Sequence, residues 1–159
     1  MNLDDWDNSY NDDHEILKEI SDVELLLDVY GRFPTFDSAE IMNLKFIRGN
    51  TLQCMDAGNW GGHEPVSLTA KLFVFDERFA DTDERRNPAI VTMTFNSLDQ
   101  IHLDGFNYQN SMCGLGIRRQ FLENLKKNLL RVDWGGAAIK HDVSLVCESI
   151  KIEAVKKLY

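Results

Sequence analysis

Two hydrophobic periods divide the chain. Between residues 13 and 30 the apolar side chains Ile16, Ile20, Val23, Leu27 and Tyr30 recur at spacings of three and four, while Glu15, Glu19, Asp22 and Asp28 point elsewhere. That pattern predicts one amphipathic helix. Asp12 is placed to cap its first amides with Glu15 three residues on as in a capping box, and Gly31 followed by Pro34 supplies the stop. Ahead of it, residues 1–11 mix Asp, Asn, Trp6 and Tyr10 with no period and are expected to form a flexible or loosely docked arm.

From residue 40 the period becomes two. Met42, Leu44 and Phe46 alternate with Asn43 and Lys45, and Arg48-Gly49-Asn50 reads as a hairpin turn into Leu52 and Cys54. A glycine-rich loop over 56–65 precedes a clean strand from Val66 to Val74, and a charged loop follows from Asp76 to Pro88. Further strands are expected around Val91 to Phe95, Ile101 to Leu103, Met112 to Ile117, Leu129 to Asp133, Ala138 to Val146 and Ser149 to Val155. Gln120 to Asn128 fits either a short helix or a hairpin arm. The order predicts an α+β fold, with the N-terminal helix packed on a largely antiparallel, meandering sheet of about seven to nine strands. No repeat or linker interrupts residues 1–159, so one domain is expected.

The net charge of −9 changes this picture because of where it lies: residues 1–40 hold twelve acidic residues against Lys18 and Arg32, and the remainder is nearly balanced. Such a surface disfavours nucleic acid and anionic membranes and favours basic proteins. Its plainer reading is a solvated face that keeps the chain soluble. Cys54, Cys113 and Cys147 sit singly in apolar runs, as reduced thiols of a cytoplasmic protein would. The start carries no basic region followed by an apolar stretch, and no apolar run is long enough to cross a bilayer as a helix.

Candidate chemistry is sparse. His14, His63, His102 and His141 share no metal-ligand spacing, and no phosphate loop, dinucleotide fingerprint or nucleophile elbow occurs. No metal, cofactor or catalytic group is therefore expected. Asp37 and Glu40 resemble a carboxylate pair for acid and base work, yet glycine and proline before them and a strand after them favour a turn-capping Asp37 and a strand-initiating Glu40. Asn107, Gln109 and Asn110, flanked by Phe106 and Tyr108, can satisfy the free backbone groups of a bulge, or, if exposed, serve an interface. Trp60 and Trp134, each followed by Gly-Gly at an expected turn, are either rims of the core or exposed binding anchors.

Two segments look over-specified for ordinary structure: Phe33-Pro34-Thr35-Phe36-Asp37-Ser38-Ala39-Glu40 and Asp104-Gly105-Phe106-Asn107-Tyr108-Gln109-Asn110. The first resembles the entry to the first strand of the immunity protein 50 family, and the second resembles that family's glycine, phenylalanine, asparagine, glutamine, asparagine turn. The resemblance extends loosely over residues 30–152, with Trp134-Gly135 also in order. Ser38 and Tyr108 depart from it, and no histidine-dependent role carries over to either segment. Family-motif residues here are Phe36, Asp37, Glu40, Gly105, Phe106, Asn107, Gln109 and Asn110. The resemblance implies a bacterial immunity protein that binds a cognate polymorphic-toxin domain and neutralises it by occlusion, without catalysis. Within that expectation the partner is a toxin, possibly basic, met by Glu15, Glu19, Asp22, Asp28, Trp60 and Trp134. The competing readings are a small hydrolase-like enzyme with a site around Asp37, Glu40 and His102 or His141, and a general protein-interaction module. Oligomeric state is open at this level.

Overall fold

A computed structural model describes residues 14–49, 65–76, 86–104, 111–135 and 142–159. Within them lie two short helices, α1 (His14–Leu17) and α2 (Glu24–Tyr30), and nine strands. The strands are β1 (Asp37–Arg48), β2 (Val66–Val74), β3 (Ala89–Asn96), β4 (Gln100–Asp104), β5 (Ser111–Cys113), β6 (Leu115–Leu122), β7 (Lys127–Gly135), β8 (Asp142–Cys147) and β9 (Ser149–Lys157). The chain is thus mostly antiparallel β-structure with little helix.

The strands form two sheets, not the single meander expected from sequence: β5-β1-β2-β3-β9 and β4-β8-β7-β6. Among the described residues three tight corners carry the chain between them, at residues 97–99, at Gly114 and at Glu148. At the first and last corners the backbones stay tied together, since the Glu148 N–H donates to the Asn96 carbonyl at 3.0 Å and the Asp99 N–H to the Val146 carbonyl at 2.9 Å. The pairs β3–β9 and β4–β8 therefore behave as two long bent strands that switch sheets together. Gly114, at φ 103, occupies backbone that other residues adopt only with strain. It splits the expected Met112 to Ile117 strand between the two sheets. With β5–β1 and β6–β7 paired, the strands close into one ring around a shared core.

Alternation fixes which face is inside. Leu68, Ala70, Leu72 and Val74 of β2, Val91, Met93 and Phe95 of β3, and Ile150 and Ile152 of β9 are buried from one sheet. Leu115, Ile117, Val132, Trp134, Val143 and Leu145 meet them from the other. Phe95 and Trp134 cross between sheets edge to face, with centroids 5.4 Å apart. Trp134 lies within β7 at 1 % exposure, so the expected turn at this residue is a buried strand position. Residues 120–128, open from pattern alone, make a hairpin: β6 and β7 pair from Leu115↔Trp134 to Leu122↔Lys127 around a turn whose Lys126 has φ 50.

The single helix expected over 13–30 is interrupted. Ser21 pairs with β9: its N–H donates to the Ile150 carbonyl at 3.0 Å, and the Ser21 carbonyl accepts the Ile152 N–H at 2.9 Å. Asp22 follows in the left-handed region at φ 58. The break rotates the second helix, which buries Leu26 and Tyr30 rather than Val23 and Leu27. Tyr30 donates its hydroxyl to the Val74 carbonyl at 3.3 Å, and Gly31, at φ 74, ends α2 with its N–H on the Leu27 carbonyl, as expected. β1 pairs with β2, with the Gly49 N–H on the Pro65 carbonyl at 3.1 Å. The expected arm over 1–11, the Leu52 and Cys54 strand, most of the 56–65 and 76–88 loops and residues 138–141 lie outside the described residues.

Candidate partner-binding surfaces

The acidic side chains of the N-terminal segment reach solvent because the segment's apolar groups are spent on the core. Ile16, Leu17, Ile20 and Leu26 are each at most 2 % exposed, and Glu15, Glu19, Asp22, Glu24 and Asp28 all stand outside. Three of these acids meet cations of the same chain. Glu15 pairs with Lys18 at 2.6 Å, Asp22 approaches Lys151 of β9 at 3.8 Å, and Glu19 makes a two-pronged contact with the Arg119 guanidinium of β6. The last two fasten the segment to one strand of each sheet. All are exposed pairs, of the kind worth about 0–1 kcal/mol. Lys151 also donates a hydrogen bond to Glu153 at 3.1 Å; that bond and the Glu153 charge push its pKa up.

The motif at the start of β1 is buried at its aromatic residues and exposed at its carboxylates. Phe36 is fully buried in edge contact with Phe33, centroids 5.5 Å apart, and both Phe36 and Ser38 hold positive φ, at 60 and 61. Local capping falls to Thr35, whose hydroxyl accepts the Asp37 N–H at 3.2 Å. Asp37 and Glu40 are both exposed. They share β1, whereas His102 lies on β4 of the other sheet, so the three carried by the hydrolase-like reading start from different sheets. His141, Trp60 and Gly105, Phe106, Asn107, Gln109 and Asn110 lie outside the described residues. Trp134 is enclosed and is not presented to a partner. Among the described residues no group of three or more His, Cys, Asp or Glu is placed to hold a metal ion. None of their helices is long and apolar enough to cross a membrane.

The outer face of the five-stranded sheet has a different character. Ser67, Asn96 and Ser149 are linked across three strands, and Thr69 and Thr94 share a hydrogen bond at 3.2 Å. A bulge between Ile41 and Asn43 leaves Met42 at 60 % exposure beside a shallow depression of about 540 Å³ lined by Asn43, Lys45, Thr69, Lys71 and Ile90. The far end of β1 exposes Phe46 and Ile47. On the four-stranded sheet, Arg118 and Arg131 both contact Asp133, at 3.4 and 3.0 Å.

Sequence reasoning missed a further surface. Among the described residues strand β4 pairs with β8 alone, all five of its residues are exposed, and Ile101 and Leu103 stand in register with the inward-facing Leu145 and Val143. The alternation of Ile101 and Leu103 identifies a strand, but its place beside β8 follows from pairings with residues about forty positions away. No family model, no curated protein and no solved structure matches this chain.

Proposed function

We propose that the chain is a non-catalytic α+β binding protein that neutralises a basic toxin domain by occluding it. The observation that carries this reading is the surface between residues 15 and 28, where five acidic side chains stand exposed against the single local cation Lys18. Their partners Lys18, Arg119 and Lys151 are held by exposed ion pairs, weak enough to be exchanged for the cations of another protein. Such a field accelerates encounter with an oppositely charged surface, as an inhibitor that must act before its target needs. The resemblance to the immunity protein 50 family names the target class, and it rests on the two quoted motifs. Cytoplasmic residence belongs to the same proposal.

Co-expression tests it. The gene adjoining this one is examined for a product ending in a toxin domain, and that domain is expressed with and without this chain. Rescued growth together with a co-purifying complex is the expected result. A neighbouring toxin that kills equally in both cases, or a metabolic operon in its place, removes the proposal in favour of the enzyme reading.

A further inference from the structure

The outer face of the five-stranded sheet collects cations that have no carboxylate of their own. Elsewhere the basic side chains are largely spoken for: Lys18, Arg119 and Lys151 meet acids of the N-terminal segment, and Arg118 and Arg131 share Asp133. Lys45, Lys71 and Lys156 are exposed and form no ion pair among the described residues. Register puts them on one face. Lys71 stands opposite Asn43 and Lys45 opposite Thr69, which makes the two lysines diagonal neighbours, about 7–8 Å apart. Lys156 stands opposite Ile90 on the far side of β3. The acids of this face lie at its margins, Glu40 opposite Phe73 and Glu153 taken by Lys151.

Apolar surface adjoins the lysine pair. The bulge between Ile41 and Asn43 breaks the alternation of β1 and turns Met42 outward, so that Met42 and Ile47 reach 60 % and 46 % exposure and share with Ile90 the depression of about 540 Å³. Between these groups the polar floor is already satisfied, since the Thr69 and Thr94 hydroxyls bond each other. Positive charge and apolar area are what remain to be matched. A small-molecule site encloses most of its ligand, whereas an open dish across three strands leaves one largely in water. Nucleic acid and anionic membranes extend well past the dish and meet the repulsion of a chain whose net charge is −9. A short acidic segment meets the lysines alone.

We propose that the outer face of β1 and β2 is a docking site for an acidic peptide segment of a protein partner, whose carboxylates pair with Lys45 and Lys71 while an adjoining apolar side chain covers Met42, Ile47 and Ile90. The site uses none of the acids between residues 15 and 28, and the proposal does not rest on the toxin reading.

The probe is a capped synthetic peptide, Glu-Glu-Phe-Glu-Glu, titrated into the isotopically labelled full-length chain and followed by NMR. The backbone signals of Asn43, Lys45, Thr69 and Lys71 should shift together and saturate, and binding should weaken as salt rises. Lys45→Gln with Lys71→Gln should weaken it about five-fold or more, and Lys126→Gln with Lys157→Gln, two exposed lysines elsewhere, should leave it within about two-fold. The first pair of substitutions removes no ion pair, so its melting temperature should match the wild type. Replacing the peptide's Phe by Ser should also weaken binding several-fold. No saturable shift up to about 5 mM peptide overturns the proposal. So do shifts centred elsewhere, an equal loss from the control lysines, or equal binding of Gln-Gln-Phe-Gln-Gln. Inorganic phosphate giving the same shifts at the same concentration reduces the face to a general anion contact and likewise overturns it. Two further results reassign the face and overturn the claim for a separate partner. The same signals moving with protein concentration alone would give it to the acidic segment of a second copy. Shifts that appear only once the acidic stretch from Glu77 to Glu84 is replaced by Gly-Ser would give it to this chain itself.

Discussion

Single side chains in the core separate structural from binding roles. Trp134 fills the space between the sheets against Phe95, and its indole N–H has no acceptor among the described residues. Truncation to Ala leaves a large cavity and should cost about 3–5 kcal/mol in a denaturant titration, whereas an exposed anchor would leave stability unchanged. Trp134→Phe should cost much less, because it keeps an aromatic ring and removes a buried donor that is costly to leave unpaired. Cys147 offers a second test. Burial pushes its thiol up to about 12, so the folded protein holds that proton more tightly than the unfolded chain does. The contribution is fully present below the ordinary thiol value near 9 and is lost as pH rises through the folded value. Between those limits wild-type stability should fall with pH more steeply than that of Cys147→Ala, by up to about 1.4 kcal/mol per pH unit. Parallel pH profiles would show the thiol to be solvated. The sequence placed Cys147 in an apolar run and Trp134 just past the strand expected to end at Asp133. It did not announce that Trp134-Gly135 is strand rather than turn, because that depends on β6 and β8 closing over it from either side.

At the scale of elements, strands were legible and their partners were not. A period of two identifies a strand with one buried face, and β2, β3, β7 and β9 appear close to where it placed them. Which strands share a sheet is decided by contacts distant in sequence, such as β5 with β1 and β4 with β8, about which local alternation is silent. Gly114 is a local mark of a corner, and a lone glycine does not say which sheet the next strand joins. The N-terminal helix shows the opposite failure, a strong local signal overridden by tertiary structure. Two hydrogen bonds on Ser21 satisfy the open edge of β9, and the chain gives up a helical turn to make them. The sign of a substitution pair at Asp22 distinguishes the two conformations. In a helix interior, Gly is less stable than Ala by about 0.5–1 kcal/mol. In the left-handed region the order reverses, since a β-carbon there costs roughly 1–2 kcal/mol. Asp22→Gly should therefore melt above Asp22→Ala, the loss of the exposed Lys151 pair being common to both. The reverse order would restore the continuous helix.

Over the whole molecule, charge is segregated: acids crowd the helical segment, while Lys45 and Lys71 mark the outer face of the five-stranded sheet. A basic partner approaching this dipolar surface is drawn to one side of it. Replacing Glu15, Glu19, Asp22 and Asp28 with their amides removes four negative charges and their pairs with Lys18, Arg119 and Lys151, while Lys151 keeps Glu153, so the local field becomes much less negative. Association with a basic toxin domain should then slow by about ten-fold or more at low salt, with the dissociation rate nearly constant. The difference should shrink as ionic strength rises, because exposed charges are screened beyond about 8 Å at physiological salt. Stability should hold within about 1 kcal/mol per lost pair, so a folding defect is separable from a steering defect by melting temperature. An association rate indifferent both to the four substitutions and to salt would leave the acids a role in solubility alone. The contact would then have to be sought at exposed apolar positions that need no steering, first among them Phe46 and Ile47 at the end of β1.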